Sequence, residues 1–433
     1  MPTETANGIS PLSFWPRVRA YAVPPSMIEK ATARRRAGDW AGACVAAGVD
    51  VDLNLRAAAD AYGRELATAV RADLRHLAPD LLRWHLPRIA PDGLLRPGLT
   101  LPLARYDPGG VRLVVRTPPA WAEGGQRVSL TLWDPRRPAD GAFGHPHARP
   151  GRRFRFDLHR HLWDTRRSGE LRERAGAGDG SWRAVDRWGA EAALVLRDQG
   201  RAAGSVLVRL AARERVLVDV GADGAHTVRG APDGPVPALP VLPDAATWTL
   251  PDLALLRAGA IAAGELHPLV AAALAPDDPV DVGGTRDAAG QPRVVECRGA
   301  RHRIGLVDGV LTALDHDPAE VRREELLMAL TGTPLPCLRA IDRAHRRPQS
   351  LTDVRERLDH GDFTGALSVV EGLLGPAAVL RDGPLRDELE AAAERRIAYG
   401  LFRAGLAEPG RKHSVRQLAD RDRRPHRRKS ATR

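Results

Sequence analysis

The sequence predicts an α+β protein. Helical N- and C-terminal regions flank a β-rich middle of antiparallel hairpins and meanders, and a disordered basic tail follows. Three observations lead there. Apolar residues recur at helical spacing near both ends, as at Tyr62, Leu66, Val70, Leu74 and Leu77, and again at Leu385, Leu389, Ala393, Ile397 and Leu401. Between them, short β-branched runs alternate and are punctuated by Gly, Pro and Asp. Finally, residues 411–433 set ten Arg and Lys against Asp420 and Asp422. The expected divisions are 1–97 (arm and helical region), 98–242 (β-rich, with long loops), 243–348 (helix plus a three-strand meander), 349–410 (helical, repeat-like) and 411–433 (tail).

Residues 1–25 read as an irregular arm. Ser26 and Glu29 have the spacing of a capping box, opening a helix that runs to about Ala37 and stops at Gly38. Trp40 to Gly48 is a second short helix, and one longer helix carries the Tyr62–Leu77 stripe. Val111–Thr117, Arg127–Trp133, Phe154–Leu162, Ala193–Arg197, Val206–Leu210 and Arg215–Val220 read as strands. Asp198-Gln199-Gly200 reads as a hairpin turn. Segments 134–152, 165–182 and 221–245 read as loops. Helix resumes near Thr249, a candidate cap, and again over Glu265–Ala275. Arg293–Cys297, His302–Val307 and Val310–Leu314 then form a meander around the Asp308-Gly309 turn. Helices follow over Pro318–Leu330, Phe363–Leu374 and from Pro384.

Charge is distributed unevenly. The chain's formal net charge is +11, and the tail alone carries 10 − 2 = +8 of it, leaving the rest of the chain near balance. Lys occurs at positions 30, 412 and 429, so nearly all basic residues are Arg, an imbalance that fits a coding sequence rich in G and C. Body arginine is therefore weak evidence for phosphate binding. Three cysteines, Cys44, Cys297 and Cys337, form no CxxC pair and indicate neither a disulfide framework nor a zinc finger. The most apolar stretch, Leu253–Ala275, is broken by Arg257, Glu265, His267 and Pro268, which argues against a membrane span. A cytoplasmic protein is expected.

Candidate chemistry falls in three places. On an extended Phe154–Leu162, the side chains of Asp157, His159 and His161 would share one face and present three ligands to a divalent metal, although Arg153 and Arg155 share that face. A cryptic metal-dependent enzyme follows if they do. Glu296, Cys297 and His302 could extend such a set, and Asp315-His316-Asp317 reads either as an acid/base group or as a capped helix start. The tail, with Arg423, Arg424, Arg427, Arg428 and Lys429, can associate with nucleic acid through counterion release, without sequence preference. No Gly-x-Ser-x-Gly, His-Glu-x-x-His or P-loop pattern is present.

The third place is a repeated pattern. Gly38-Asp39-Trp40-Ala41-Gly42-Ala43 near one end matches Gly361-Asp362-Phe363-Thr364-Gly365-Ala366 near the other. Each has a break, a capping Asp, an aromatic anchor and small residues that allow a second helix to lie close. With the Val369-Val370-Glu371-Gly372-Leu373-Leu374-Gly375 continuation, these stretches resemble ankyrin-type helix pairs, and the Gly-Asp-aromatic turns resemble tetratricopeptide hairpins comparably. Pro384-Leu385-Arg386-Asp387 stands where the ankyrin pattern has Thr-Pro-Leu-His. The resemblance covers only the two ends. It implies an adaptor that binds a protein partner on a helical surface, with Trp40 and Phe363 as interaction candidates.

Overall fold

A computed structural model describes residues 11–122, 124–137, 145–176, 182–211, 213–232, 239–276, 293–297, 299–307, 310–317, 319–323, 336–338, 340–341, 351–375 and 379–406. The basic tail, the Asp308-Gly309 turn and most of the helix expected over 318–330 lie outside them. The chain forms two units, Met1–Val282 with Leu401–Pro409, and Gly283–Gly400 with Gly410–Arg433.

The first unit opens with a helix where an irregular arm was expected. α1 (Pro11–Arg17) and a π-turn over Val18–Ala22 bury Phe14, Trp15 and Val18. The Trp15 and Trp84 rings meet at 4.9 Å, and this aromatic burial offsets the helix-breaking tendency of Pro16. α2 (Pro25–Arg36) is capped by Pro24, which leaves Ser26 inside the first turn and not at the cap. Proline at N1 has no N–H to satisfy and an already suitable φ, so the capping box is unnecessary.

α3 (Trp40–Ala46) leads into β1 (Val49–Val51), and the stripe expected on one long helix lies on two. α4 (Leu55–Tyr62) and α5 (Arg64–His76) are separated by Gly63 at φ 93°, a conformation that residues with a Cβ avoid. α6 (Pro79–His85) is buried along its whole length. After the two-residue pair β2 (Arg88–Ile89) and β3 (Leu94–Leu95) come β4 (Thr100–Tyr106), β5 (Val111–Arg116) and β6 (Val128–Trp133). With β1 these make a mixed sheet in the order β1-β6-β5-β4, in which β4, β5 and β6 pair antiparallel and β1 runs parallel to β6. Leu113, Val114 and Val115 are all fully buried, so the middle strand is covered on both faces.

Phe154–Leu162 is not a strand. It is a series of turns ending in a 3-10 turn over Arg160–Leu162, and α7 (Leu171–Arg174) follows in a stretch expected as loop. Ala193–Arg197 is likewise not a strand but the end of α8 (Val185–Asp198). Trp188, Ala192, Val195 and Leu196 form its buried stripe, and Gln199-Gly200 is its C-terminal turn. β7 (Gly204–Arg209), β8 (Arg215–Val220) and β9 (His226–Gly230) form a second antiparallel sheet. β9 was expected as loop, and all five of its residues are exposed. α9 (Asp244–Thr247), α10 (Pro251–Arg257) and α11 (Pro268–Leu274) complete the unit; Leu250, not Thr249, caps α10.

The second unit contains the expected meander, β10 (Arg293–Cys297), β11 (Ala300–Val307) and β12 (Val310–Ala313), paired antiparallel in sequence order. α12 (Leu351–Asp359), α13 (Phe363–Leu374) and α14 (Pro384–Arg403), whose last three residues count with the first unit, follow. Val354, Leu358, Ala366, Val370, Leu374, Leu385 and Ala392 form their shared core. Among the described residues, no helix is long and apolar enough to cross a membrane.

Candidate functional site

The repeated pattern folds into the same corner twice, α2–α3 in the first unit and α12–α13 in the second. Gly38 and Gly361 take φ 76° and 84°, which ends each first helix. Asp39 Oδ1 accepts from Gly42 N at 2.7 Å, and Asp362 Oδ1 accepts from Gly365 N at 2.9 Å, capping each second helix. Arg34 Nη1 donates to Asp39 Oδ2 at 3.1 Å, and Arg357 Nη1 donates to Asp362 Oδ2 at 2.9 Å. A Cβ at Gly42 or Gly365 would collide with the capping carboxylate, which explains the glycine at that place. Ala43 and Ala366, both fully buried, allow the paired helices to approach.

The two aromatic anchors face inward. Trp40 is half-buried against the main core of its unit, and Phe363 against the helical core of its own, with the Arg396 guanidinium 4.7 Å over the ring. The large apolar side chains most exposed on these helices are Val45, 68% exposed on α3, and Leu367, 46% exposed on α13.

Asp157, His159 and His161 do not present a common face, because the chain turns between them. Asp157 Oδ2 accepts from Arg155 Nη2 at 2.7 Å, and Arg155 also holds Asp198. His159 lies with Nδ1 2.8 Å from the Arg155 carbonyl and Nε2 3.1 Å from Glu191 Oε2, so both nitrogens face acceptors. His161 Nδ1 lies 3.1 Å from Arg174 Nη1 and accepts from it, which puts the neutral ring's proton on Nε2. Both His159 nitrogens are thus taken up by protein oxygens, and the one lone pair of His161 by Arg174, so neither ring is turned to a metal in this arrangement. Burial, then Arg174, holds His161 far below the ordinary histidine range. Glu191 is the centre of this network: it also accepts from Arg174 Nη2 at 2.7 Å and Arg187 Nη2 at 3.0 Å. Burial would raise its carboxyl, but His159 and then Arg174 outweigh that effect and hold it well below the usual range.

A different set of metal-type donors converges in the second unit. One donor atom each from Cys297, His316 and Cys337 lies within 4.8 Å of the others. Cys297 ends β10 at the turn through Gly299 (φ 77°) into β11. His316 follows β12, and Cys337 lies in a helical stretch. Both cysteines are free and buried, and burial together with Cys297 pushes the Cys337 thiol up to about 11. The His316 side chain is 4% exposed, with a buried, unpartnered Nε2 and with Nδ1 3.7 Å from Glu320 Oε2. The His302 ring stacks on it at 4.3 Å, with its own Nδ1 buried and unpartnered. Asp315 is held by Arg303 at 2.8 Å, and Asp317 Oδ1 accepts from Ala319 N at 2.9 Å as a helix-start cap. The two carboxylates beside His316 are thus engaged in structure.

The sequence singles out Cys297 with His302, and His316 between two carboxylates, but does not join them to Cys337 as one set. Its members are separated by about twenty residues each, without a CxxC pair, and only the meander brings two of them together. No family model, curated protein or solved structure matches the chain.

Proposed function

We propose that this chain is a cytoplasmic protein-interaction adaptor that binds a protein partner on the outer faces of its helical hairpins. The observation that supports this reading is the corner built twice, once in each unit, from the same Arg–Asp–Gly hydrogen bonds. Each corner carries one prominent aliphatic side chain on its second helix, Val45 or Leu367. Trp40 and Phe363 act from beneath as anchors that hold those helices in place. The ankyrin-like and tetratricopeptide-like character of the hairpins belongs to the same proposal.

The test is co-purification of the full chain at native expression level from its own cells. A partner present in near-stoichiometric amount, lost with Val45→Asp and Leu367→Asp but kept with Val379→Asp, supports the reading. Val379 is 87% exposed and lies outside the hairpin helices, so it controls for exposure alone. Absence of a stoichiometric partner, or equal loss in all three variants, overturns it.

A further inference from the structure

We propose that Cys297, Cys337 and His316 bind a zinc ion in the second unit and that His302 closes the coordination shell. Two thiolates and imidazole nitrogen are the donor set that zinc favours, and a structural zinc site takes four such donors in tetrahedral arrangement. The three committed donor atoms already lie within 4.8 Å of one another, so no large rearrangement is needed to gather them. His316 Nε2 points into a buried space without any partner. An unpartnered buried nitrogen is unfavourable, and a metal bond removes that cost.

The other side of His316 fits the same role. Its Nδ1 lies 3.7 Å from Glu320 Oε2, beyond hydrogen-bond distance but near enough for a small shift to form the carboxylate–histidine pair that orients metal-bound imidazoles. His302 supplies the fourth donor: its Nδ1 is buried and unpartnered, and its ring lies against His316. That ring, now parallel to its neighbour within 15°, would have to rotate to bring the nitrogen onto the ion.

The local core explains why a metal belongs here. The buried cluster around the meander consists of Cys297, Ile304, Ala313, Cys337 and Leu338. Among the described residues, two of its five buried members are the sulfur ligands, with Val295, Leu311, Val321, Ala340 and Ile341 packed against it only partly buried, and a three-stranded meander on so small a core is marginal by itself. A zinc ion joining β10, the residues after β12 and the Cys337 helical stretch would lock three separate pieces of chain. With four protein ligands the site is closed, so the ion is structural and activates no water.

The experiment uses the full chain, purified without an affinity tag under reducing conditions and reconstituted with zinc or with cobalt. About one zinc per chain is expected, together with thiolate-to-cobalt charge-transfer bands in the cobalt form. Chelator should lower the melting temperature of the zinc form. Cys297→Ser, Cys337→Ser and His316→Gln should abolish stoichiometric binding, and His302→Ala should weaken it by about 10–100-fold. Folded wild-type protein that takes up no zinc and shows no cobalt–thiolate bands overturns the site without reference to any variant. Stoichiometric zinc in either cysteine variant overturns it as well, and unchanged affinity in His302→Ala overturns the fourth ligand.

Discussion

Arg357 Nη1 donates to Asp362 Oδ2 at 2.9 Å while the other oxygen of the same carboxylate caps α13 through Gly365. One side chain thus ends one helix, starts the next and ties the two together. Arg34 and Asp39 repeat the arrangement in the first unit.

Removing either cap should destabilise its own unit. Asp362→Ala and Asp39→Ala are each expected to lower stability by about 0.5–2 kcal/mol, and Asp→Asn at either place should restore most of it. Arg34→Ala, which breaks a solvent-exposed pair, should change stability by less than about 1 kcal/mol. Hydrogen exchange resolved by segment reads each unit separately. A larger loss from Arg34→Ala than from Asp39→Ala would contradict this picture of the corner.

Glu191 should be the most sensitive carboxylate of the first unit. Glu191→Gln leaves Arg174 and Arg187 without their buried counter-charge, and breaking such a network is destabilising by about 3–5 kcal/mol. The folded carboxyl is held below its unfolded value of about 4.3. Its contribution is therefore complete above that pH and declines as pH falls below it towards the folded value. Urea midpoints from pH 6 down to about pH 3 check this, since the variant should show a shallower acid decline than the wild type.

His85 should act in a different pH window. Both its nitrogens are buried without partners, and burial, reinforced by His267 and Arg88, holds it neutral far below the ordinary histidine range. His161 also lies within its electrostatic reach, while His267 is itself bonded to Asp80 at 2.9 Å. Below about pH 6.5 the unfolded chain binds a proton that the folded site rejects, so stability falls by up to about 1.4 kcal/mol per pH unit. His85→Leu should flatten that slope between pH 7 and 5 and leave stability at pH 7 equal or higher. An unchanged slope would show that His85 titrates normally in the fold.

The tail carries its own expectation. Deleting residues 411–433 should abolish sequence-independent binding to duplex DNA. In the full chain, the affinity should fall with log salt by about 0.9 per phosphate neutralised. Fluorescence anisotropy at several salt concentrations checks both statements. Binding that survives the deletion would place the polyanion site in the folded body.

The sequence was most legible where local chemistry decides the structure. The Gly38-Asp39 and Gly361-Asp362 breaks, the meander from Arg293 to Ala313 and the paired strands β5 and β6 follow from turn residues and alternation. It was least legible where burial overrides pattern. Ala193–Arg197 is a short apolar run with two possible periods, and the stripe that makes it helical begins at Trp188, outside the run. Phe154–Leu162 alternates, yet Glu191 and Arg174 draw His159 and His161 inward and the chain turns to allow it. The Cys297, His316 and Cys337 set depends on tertiary placement alone, which no spacing rule anticipates.

The adaptor reading is tested most directly by a photocrosslinking residue placed at Leu367, at Val45 or at the control Val379, in the full chain at native level. A discrete protein adduct is expected from Leu367 and Val45 and none from Val379. No adduct from either helix position, or equal labelling from Val379, would contradict it.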